Sequence, residues 1–135
     1  ISNITEQEFD SIVQAALKVD GIIEREAAKN GLIHVDGKKE FALGPGRKVV
    51  LVDTFGTLDE DRWWDAEAYA AGECIELSKE FVRTHYINSG HQADLKAARD
   101  AGTEDPAIPA LPQNVIDDTA SLYSSMFERL TSDQF

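Results

Sequence analysis

The chain has 135 residues, of which 42% are hydrophobic and 28% are charged, as in ordinary globular proteins. Its formal net charge of −12 argues against a nucleic-acid surface, because such a surface needs clustered Lys and Arg. No apolar run approaches the roughly 18 residues of a membrane span, and no signal-peptide pattern is present. The single cysteine, Cys74, cannot form an internal disulfide, which favours a reducing, cytoplasmic setting.

Residues 1–31 predict an amphipathic helix that serves as scaffold. Thr5 is a suitable N-cap, and Glu8 three residues later completes a capping box. Asn30 and Gly31 predict the end of the helix, because glycine readily adopts the left-handed conformation found there. The apolar residues recur at three-to-four spacing: Phe9, Ile12, Val13, Ala16, Leu17, Ile23 and Ala27.

Residues 32–64 predict a β-hairpin and an acidic loop that together carry the candidate site. The alternation of apolar and polar residues over 33–41 is typical of a strand with one apolar face. The Gly-Pro-Gly sequence at 44–46 predicts a turn, so this strand is expected to pair in an antiparallel manner with residues 49–53. The polar face of the strand consists of His34, Asp36, Lys38 and Glu40.

The register of this hairpin decides whether two carboxylates meet. If Glu40 pairs with an odd-numbered residue such as Val49 or Leu51, Asp53 lies on the same face as Glu40. A slip of one residue would point Asp53 to the other face. The sequence does not determine the register, and we expect the shared face. Gly37, in the middle of the strand, indicates a bulge or a close approach of backbone or ligand.

The remaining elements complete a single α+β domain over residues 1–135, in which an antiparallel β-hairpin or small sheet is covered by helices. Residues 55–64 are expected to form a polar loop closed by Trp63 and Trp64, which are interpreted as packing anchors. The other predicted segments are helices within 65–102, a proline-rich extended tether at 103–112 and a carboxyl-terminal helix at 113–131.

The charged residues of the hairpin suggest a cation site. Carboxylates with few histidines or thiols suit a hard cation, Mg²⁺ before Zn²⁺, and Glu40 and Asp53 are the first candidate ligands. Arg62 has the planar geometry that binds phosphate in a bidentate manner. The alternative interpretation is that these charges form only the solvated face of a sheet. The sequence contains no glycine-rich phosphate loop, nucleophile elbow or metalloprotease motif.

Four stretches occur in a fixed order: VDGKKEF from residue 35, VVLVDTFGTLDEDRWW from 49, LSKEFVR from 77 and PALPQNVIDDTASLYSSMFERLT from 109. This order resembles the carboxyl-terminal half of SAICAR synthetase, also called phosphoribosylaminoimidazole-succinocarboxamide synthase. That family typically has a D-x-K-x-E-F strand, an I-D-E-x-x-T-P-D-S-S-R-x-W stretch and a final helix near E-R-L-T. The resemblance covers essentially the whole chain, and the combination of spaced motifs is specific.

The resemblance implies an ATP-dependent ligase of de novo purine synthesis, which joins L-aspartate to the carboxylate of CAIR with Mg²⁺. It also implies a fold like those of ATP-grasp enzymes and protein kinases, with the nucleotide held between two lobes. Such a reaction activates a carboxylate with ATP, so cations must neutralise the charge of the transferred phosphoryl group. The roles implied are Mg²⁺ ligands for Glu40 and Asp53, catalytic contacts with the CAIR head group for Lys38 and Asp36, and substrate phosphate binding for Arg62, with Asp59 close by.

Several residues depart from the family pattern, and they indicate a divergent branch or an altered substrate. Extra acid beside Arg62 is expected to weaken phosphate binding there. The departures are Thr54 for Glu, Leu58 for Pro, Glu60 and Asp61 for small residues, Gly37 for Thr, and Lys39 for an aromatic residue.

The family's amino-terminal portion, which holds the phosphate loop, has no counterpart in this sequence. The chain is therefore expected to be a carboxyl-terminal part of a longer enzyme, inactive without the missing amino-terminal lobe. Its expected ligands are CAIR, L-aspartate and ATP, without nucleic acid or membrane, and a face exposed by the missing lobe could drive homo-oligomer formation. Two alternatives stay open: a domain that binds metal or phosphate ligands without catalysis, and a structural or interaction domain that uses its acidic surface.

Overall fold

The computed structural model describes residues 3–135, and its close contacts group into two compact units, Ile1–Ile75 and Glu76–Phe135. The first two residues of the predicted range 1–31 lie outside the described residues. Among the residues that are described, no helix is both long enough and apolar enough to cross a membrane. The assignment of all 135 residues to one domain stays a prediction.

The first unit is an α+β arrangement, as predicted. Two small antiparallel sheets, each of two strands, lie with helices packed on them, because α1 contacts β1 and β3 while α2 contacts β4. The elements are α1 (Glu6–Lys29), β1 (Leu32–Gly37), β2 (Glu40–Leu43), β3 (Val49–Val52), β4 (Asp61–Asp65) and α2 (Ala66–Ala70).

The predicted ends of α1 are confirmed. The Thr5 hydroxyl accepts a hydrogen bond from the Glu8 amide, and the Glu8 carboxylate accepts one from the Thr5 amide at 2.7 Å. At the other end, Gly31 has a positive φ of 67°, a conformation that glycine adopts without steric cost. Two residues of the predicted apolar stripe are nevertheless exposed, Phe9 by 54% and Leu17 by 62%.

An ion pair ties α1 to the turn between β2 and β3. The guanidinium of Arg47 donates from Nε to Glu8 Oε1 at 2.6 Å and from Nη2 to Glu8 Oε2 at 2.8 Å. This bidentate arrangement stabilises the charged carboxylate more than a single hydrogen bond would. The hydrogen bond from Arg47, helped by the Thr5 amide, lowers the pKa of Glu8 to about 2.

The ion pair between Arg47 and Glu8 is expected to make the free energy of unfolding depend on pH in the acid range. An unfolded glutamate has a pKa of about 4.3, so the stabilisation is complete above that pH and is lost as the pH falls towards 2. Glu8→Gln should therefore lower the melting temperature at neutral pH, and the difference from the unaltered chain should vanish near pH 2. Thermal unfolding across that range measures it, with Glu6→Gln in the same helical turn as control. A difference that persists near pH 2 would refute the assignment.

The predicted long strand is wrong in one respect, because it is divided between two sheets. The Gly-Pro-Gly turn does join β2 to β3, as expected, but β1 pairs with β4, in a stretch expected to be loop. A bulge between His34 and Asp36 interrupts the pairing of β1, and Lys38 and Lys39 lie between the strands. Buried Asp61 and Trp63 alternate along β4, which explains why this segment adds a strand.

The second unit contains three helices, α3 (Glu80–Asn88), α4 (His91–Ala101) and α5 (Gln113–Thr131). Within this unit, α3 packs against α4 and α5. Gly102 ends α4 with a φ of 66°, as its position predicts. Residues 103–112 contain neither helix nor strand, and the Tyr86 hydroxyl donates to the Pro109 carbonyl at 2.9 Å. The Ser78 hydroxyl, which precedes the N-cap residue Lys79 of α3, accepts a hydrogen bond from the Glu80 amide at 3.4 Å.

Candidate functional site

Three carboxylates surround the ammonium group of Lys38. Its Nζ lies 2.6 Å from Glu40 Oε1 and 3.9 Å from both Asp53 Oδ2 and Glu60 Oε2. We call these four residues the Lys38 cluster. Lys38 and Glu40 flank the start of β2, whereas Asp53 follows β3 and Glu60 precedes β4. The hairpin and the loop before β4 therefore deliver the four side chains to one place.

The Lys38 cluster carries excess negative charge. Three carboxylates against one ammonium leave a net charge of −2 at neutral pH. The hydrogen bond to Glu40, together with the charges of Glu40, Glu60 and Asp53, raises the pKa of Lys38 above its ordinary value. Lys38 is therefore a permanent cation at physiological pH. It is suited to stabilising negative charge and not to accepting a proton.

The predicted register of the hairpin is wrong, yet Glu40 and Asp53 both reach Lys38. Glu40 pairs with Val52, an even-numbered residue, so a regular strand would send Asp53 to the opposite face. Asp53 instead follows the end of β3 with a positive φ of 71°, and its Oδ1 accepts a hydrogen bond from the Thr54 amide at 2.9 Å. This left-handed residue ends the alternation of side chains, which explains how its carboxylate lies beside Lys38.

Asp36 and Arg62 form a cross-strand pair between β1 and β4. They are direct partners in the sheet, and Arg62 donates from Nε to Asp36 Oδ1 at 2.8 Å and from Nη2 to Asp36 Oδ2. The hydrogen bonds from Arg62 lower the pKa of Asp36, so this carboxylate stays ionised. Both side chains are about half exposed, and Asp59 lies exposed in the turn before β4. A phosphate on Arg62 would have to share the guanidinium with Asp36.

A second group of ionisable side chains is buried beneath these residues. The Asp61 carboxylate has no exposed surface, and its Oδ1 lies 2.7 Å from His34 Nε2 and 2.6 Å from Lys39 Nζ. The other ring nitrogen of His34 lies 3.0 Å from an Asp20 carboxylate oxygen on α1. The His34 ring therefore lies between the carboxylates of Asp20 and Asp61. Trp63 packs against this ring with centroids 5.0 Å apart, consistent with its predicted anchoring role.

Four residues of these two groups were not predicted as site residues, and His34, expected on the polar face of the strand, is instead buried. Glu60 joins the Lys38 cluster through the loop, while His34, Lys39 and Asp61 form the buried group. One signal was available: Lys39 occupies an odd-numbered position, in phase with the apolar face of the predicted strand. A lysine in that phase needs an acidic partner, because a charge is almost never buried alone.

The Lys38 cluster contains two of the carboxylate ligands that a Mg²⁺ site requires. Among residues 3–135, no group of three or more His, Cys, Asp or Glu side chains has the geometry to hold a metal by itself. Mg²⁺, however, is usually held by one or two carboxylates together with water and substrate phosphates. Glu40 and Asp53 offer two carboxylates around a position where the structure already places a positive charge. The two carboxylates therefore fit a magnesium ion whose remaining ligands are water and the oxygens of a bound phosphate.

The α+β architecture is shared with part of the fold of known ligases. The SAICAR synthetase family model matches residues 1–99, so the chain belongs to the SAICAR synthetase family. It is 46% identical over all of its 135 residues to the phosphoribosylaminoimidazole-succinocarboxamide synthase of Thermoplasma acidophilum, and the match covers 46% of that relative. The chain thus spans less than half the length of this relative.

Solved structures agree with this membership. A SAICAR synthetase in complex with ADP aligns over 98% of this chain and 41% of its own, with a TM-score of 0.65 and 26% identity. The SAICAR synthase of Saccharomyces cerevisiae, solved with SAICAR, aligns over 96% of this chain and 40% of its own, with a TM-score of 0.76. At 23% identity, the yeast enzyme supports the fold alone.

Proposed function

We propose that the chain is the carboxyl-terminal part of an ATP-dependent ligase that joins L-aspartate to CAIR and forms SAICAR in purine biosynthesis. The observation that supports this most is the Lys38 cluster, a net negative site with a permanent cation at its centre, in a chain of the SAICAR synthetase family. Activation of a carboxylate by ATP needs both a divalent cation and positive side chains around the phosphates. The cluster offers oxygen ligands for the first and an ammonium for the second.

Each charged residue then has a role that its surroundings permit. Glu40 and Asp53 would hold Mg²⁺, which when bound neutralises charge on the phosphates of the nucleotide. Lys38 would stabilise negative charge as it develops, because its raised pKa keeps it protonated. Asp36 would contact the CAIR head group beside it. The substrate phosphate would be bound by Arg62, with Asp59 nearby in the turn before β4.

The remaining proposed partners are a nucleotide and a further lobe of the same enzyme. The SAICAR synthetase solved with ADP supports ATP as the co-substrate here. Since this chain spans only 46% of the Thermoplasma relative, we propose that an amino-terminal lobe completes the nucleotide pocket. Exposed Phe9 and Leu17 on α1 are candidates for contact with that lobe or with a second copy in a homo-oligomer. We further propose that the enzyme acts in the cytoplasm.

The proposal is tested by SAICAR formation from CAIR, L-aspartate and Mg-ATP. The full-length protein that carries this chain should form SAICAR, and ADP should appear with it in equal amount. The 135-residue chain alone should form none, because it lacks the lobe proposed to hold the nucleotide. Turnover by the chain alone would show that no further lobe is needed.

A second candidate function is a domain that binds metal or phosphate ligands without catalysis. The observation that favours it is the bidentate engagement of Arg62 by Asp36, which occupies the guanidinium proposed to bind phosphate. In that case the full-length protein would bind CAIR or Mg-ATP in a calorimetric titration but would form neither SAICAR nor ADP.

A further inference from the structure

We infer that Asp61 is a positioning residue for the Lys38 cluster, and that His34 and Lys39 hold its carboxylate in place. The inference depends on the proposed function for its kinetic test but not for its structural test. It concerns the loop of residues 53–60, which carries Asp53 and Glu60 to Lys38.

Asp61 fixes this loop at two points, and Trp63 adds a third hydrogen bond. Its Oδ2 accepts a hydrogen bond from the Gly56 amide, and its own amide donates to the Thr57 carbonyl at 3.0 Å. The indole of neighbouring Trp63 donates to the same carbonyl at 3.4 Å. The loop therefore closes on a buried carboxylate, and its two ends carry the acidic residues that face Lys38. A displacement of Asp61 would move the loop and with it Asp53 and Glu60.

The carboxylate is itself held from two sides. Lys39 is only 7% exposed and donates to Asp61 Oδ1, the same oxygen that lies beside His34. A carboxylate without exposed surface needs such partners, because a buried polar group without hydrogen bonds is costly. With Oδ1 bound by these two residues, Oδ2 is directed to the Gly56 amide. Removal of Lys39 should therefore loosen the loop even though Lys39 does not touch it in the described contacts.

Gly37, Lys39 and Asp61 pack against one another as one unit. An added Cβ at Gly37 would lie 1.6 Å from Asp61 Oδ1 and 2.6 Å from Lys39 Nζ. The glycine thus makes room for the ion pair between Lys39 and Asp61, which a side chain at position 37 would displace. The loop is thus anchored through the side chain of Asp61, which Lys39 holds in place.

The test uses Asp61→Asn and Lys39→Met in the full-length protein, with exposed Lys48→Met as the matched control. Hydrogen–deuterium exchange of a peptide spanning residues 54–61 should be faster in both variants and unchanged in the control. The Mg²⁺ concentration for half-maximal SAICAR formation should rise about 10–100-fold, the range seen when the supports of metal ligands are removed. A residue that only stabilises the fold would lower the melting temperature without changing this Mg²⁺ requirement.

The outcomes separate the two proposals. Lys39→Met removes one buried partner of Asp61 and leaves Asp61 itself in place. If this variant leaves both the exchange and the Mg²⁺ requirement unchanged, the positioning role is overturned. Faster exchange without any SAICAR formation by the unaltered full-length protein would support the role of Asp61 as the anchor of the loop. That result would reject the proposed ligase function.

Discussion

Gly37→Ala is expected to destabilise the Ile1–Ile75 unit by about 3–5 kcal/mol, the range for breaking a buried ion pair. The new methyl group would lie 1.6 Å from Asp61 Oδ1, far too close for two atoms that are not bonded to each other, so the carboxylate must move. It cannot move cheaply, because His34, Lys39 and the Gly56 amide all bind it. Urea unfolding followed by tryptophan fluorescence measures the loss, since both tryptophans lie in this unit.

The same substitution in α1 provides the control. Gly21→Ala introduces a methyl group whose nearest neighbour is Arg25 Nη1 at 3.7 Å, an ordinary contact. Alanine in the middle of a helix is more stable than glycine by about 0.5–1 kcal/mol, so this variant should be the more stable one. Opposite signs for one chemical change would exclude a general effect of replacing glycine.

A double substitution tests the cause of the loss. Asp61→Ser removes the carboxylate that the new methyl group would strike, so adding Gly37→Ala to Asp61→Ser should cost much less than adding it to the unaltered chain. The two changes should therefore be strongly non-additive, as expected for residues in contact. Additive losses would mean that Gly37 is needed for another reason.

Lys38→Met is expected to reduce SAICAR formation by the full-length enzyme about 10²–10³-fold, as loss of one group that stabilises developing charge does. The reason is that Lys38 is the cation around which Glu40, Asp53 and Glu60 are arranged. Lys48→Met, which removes an exposed lysine immediately before β3, should leave the rate unchanged. Equal rates of SAICAR formation for the two variants would reject a catalytic role for Lys38.

Lys38→Met should separate turnover from metal binding. Loss of the lysine changes the net charge of the cluster from −2 to −3. The attraction of a divalent cation should therefore increase while the rate of SAICAR formation falls. Asp53→Asn should instead weaken both, because it removes a proposed ligand.

The parts of the fold that were predictable from sequence depend on local chemistry. The capping box of Thr5 and Glu8, the glycines that end α1 and α4, and the turn at 44–46 are each encoded within a few residues. The pairing of β1 with β4 was not, because it joins residues such as His34 and Trp63 across an intervening hairpin. Such long-range pairing leaves little trace in a local pattern.

The candidate site was predictable in composition more than in geometry. Glu40 and Asp53 were expected near Lys38 through a regular register, whereas the structure brings Asp53 there through a positive φ. A left-handed aspartate cannot be recognised from the residue type, since most aspartates do not adopt that conformation. The buried role of Asp61 likewise depends on Gly37 and Lys39, whose mutual distances only a three-dimensional structure supplies.

The most direct test of the site is a Mn²⁺ titration of the isotope-labelled chain, observed by NMR, for the unaltered sequence, Asp53→Asn and Lys38→Met. Paramagnetic broadening at low Mn²⁺ is expected to be confined to the amides around Lys38, Glu40, Asp53 and Glu60. The broadening should disappear in Asp53→Asn and persist in Lys38→Met. Broadening that spreads over the acidic surface, or that is the same in Asp53→Asn as in the unaltered chain, would contradict a metal site in the Lys38 cluster.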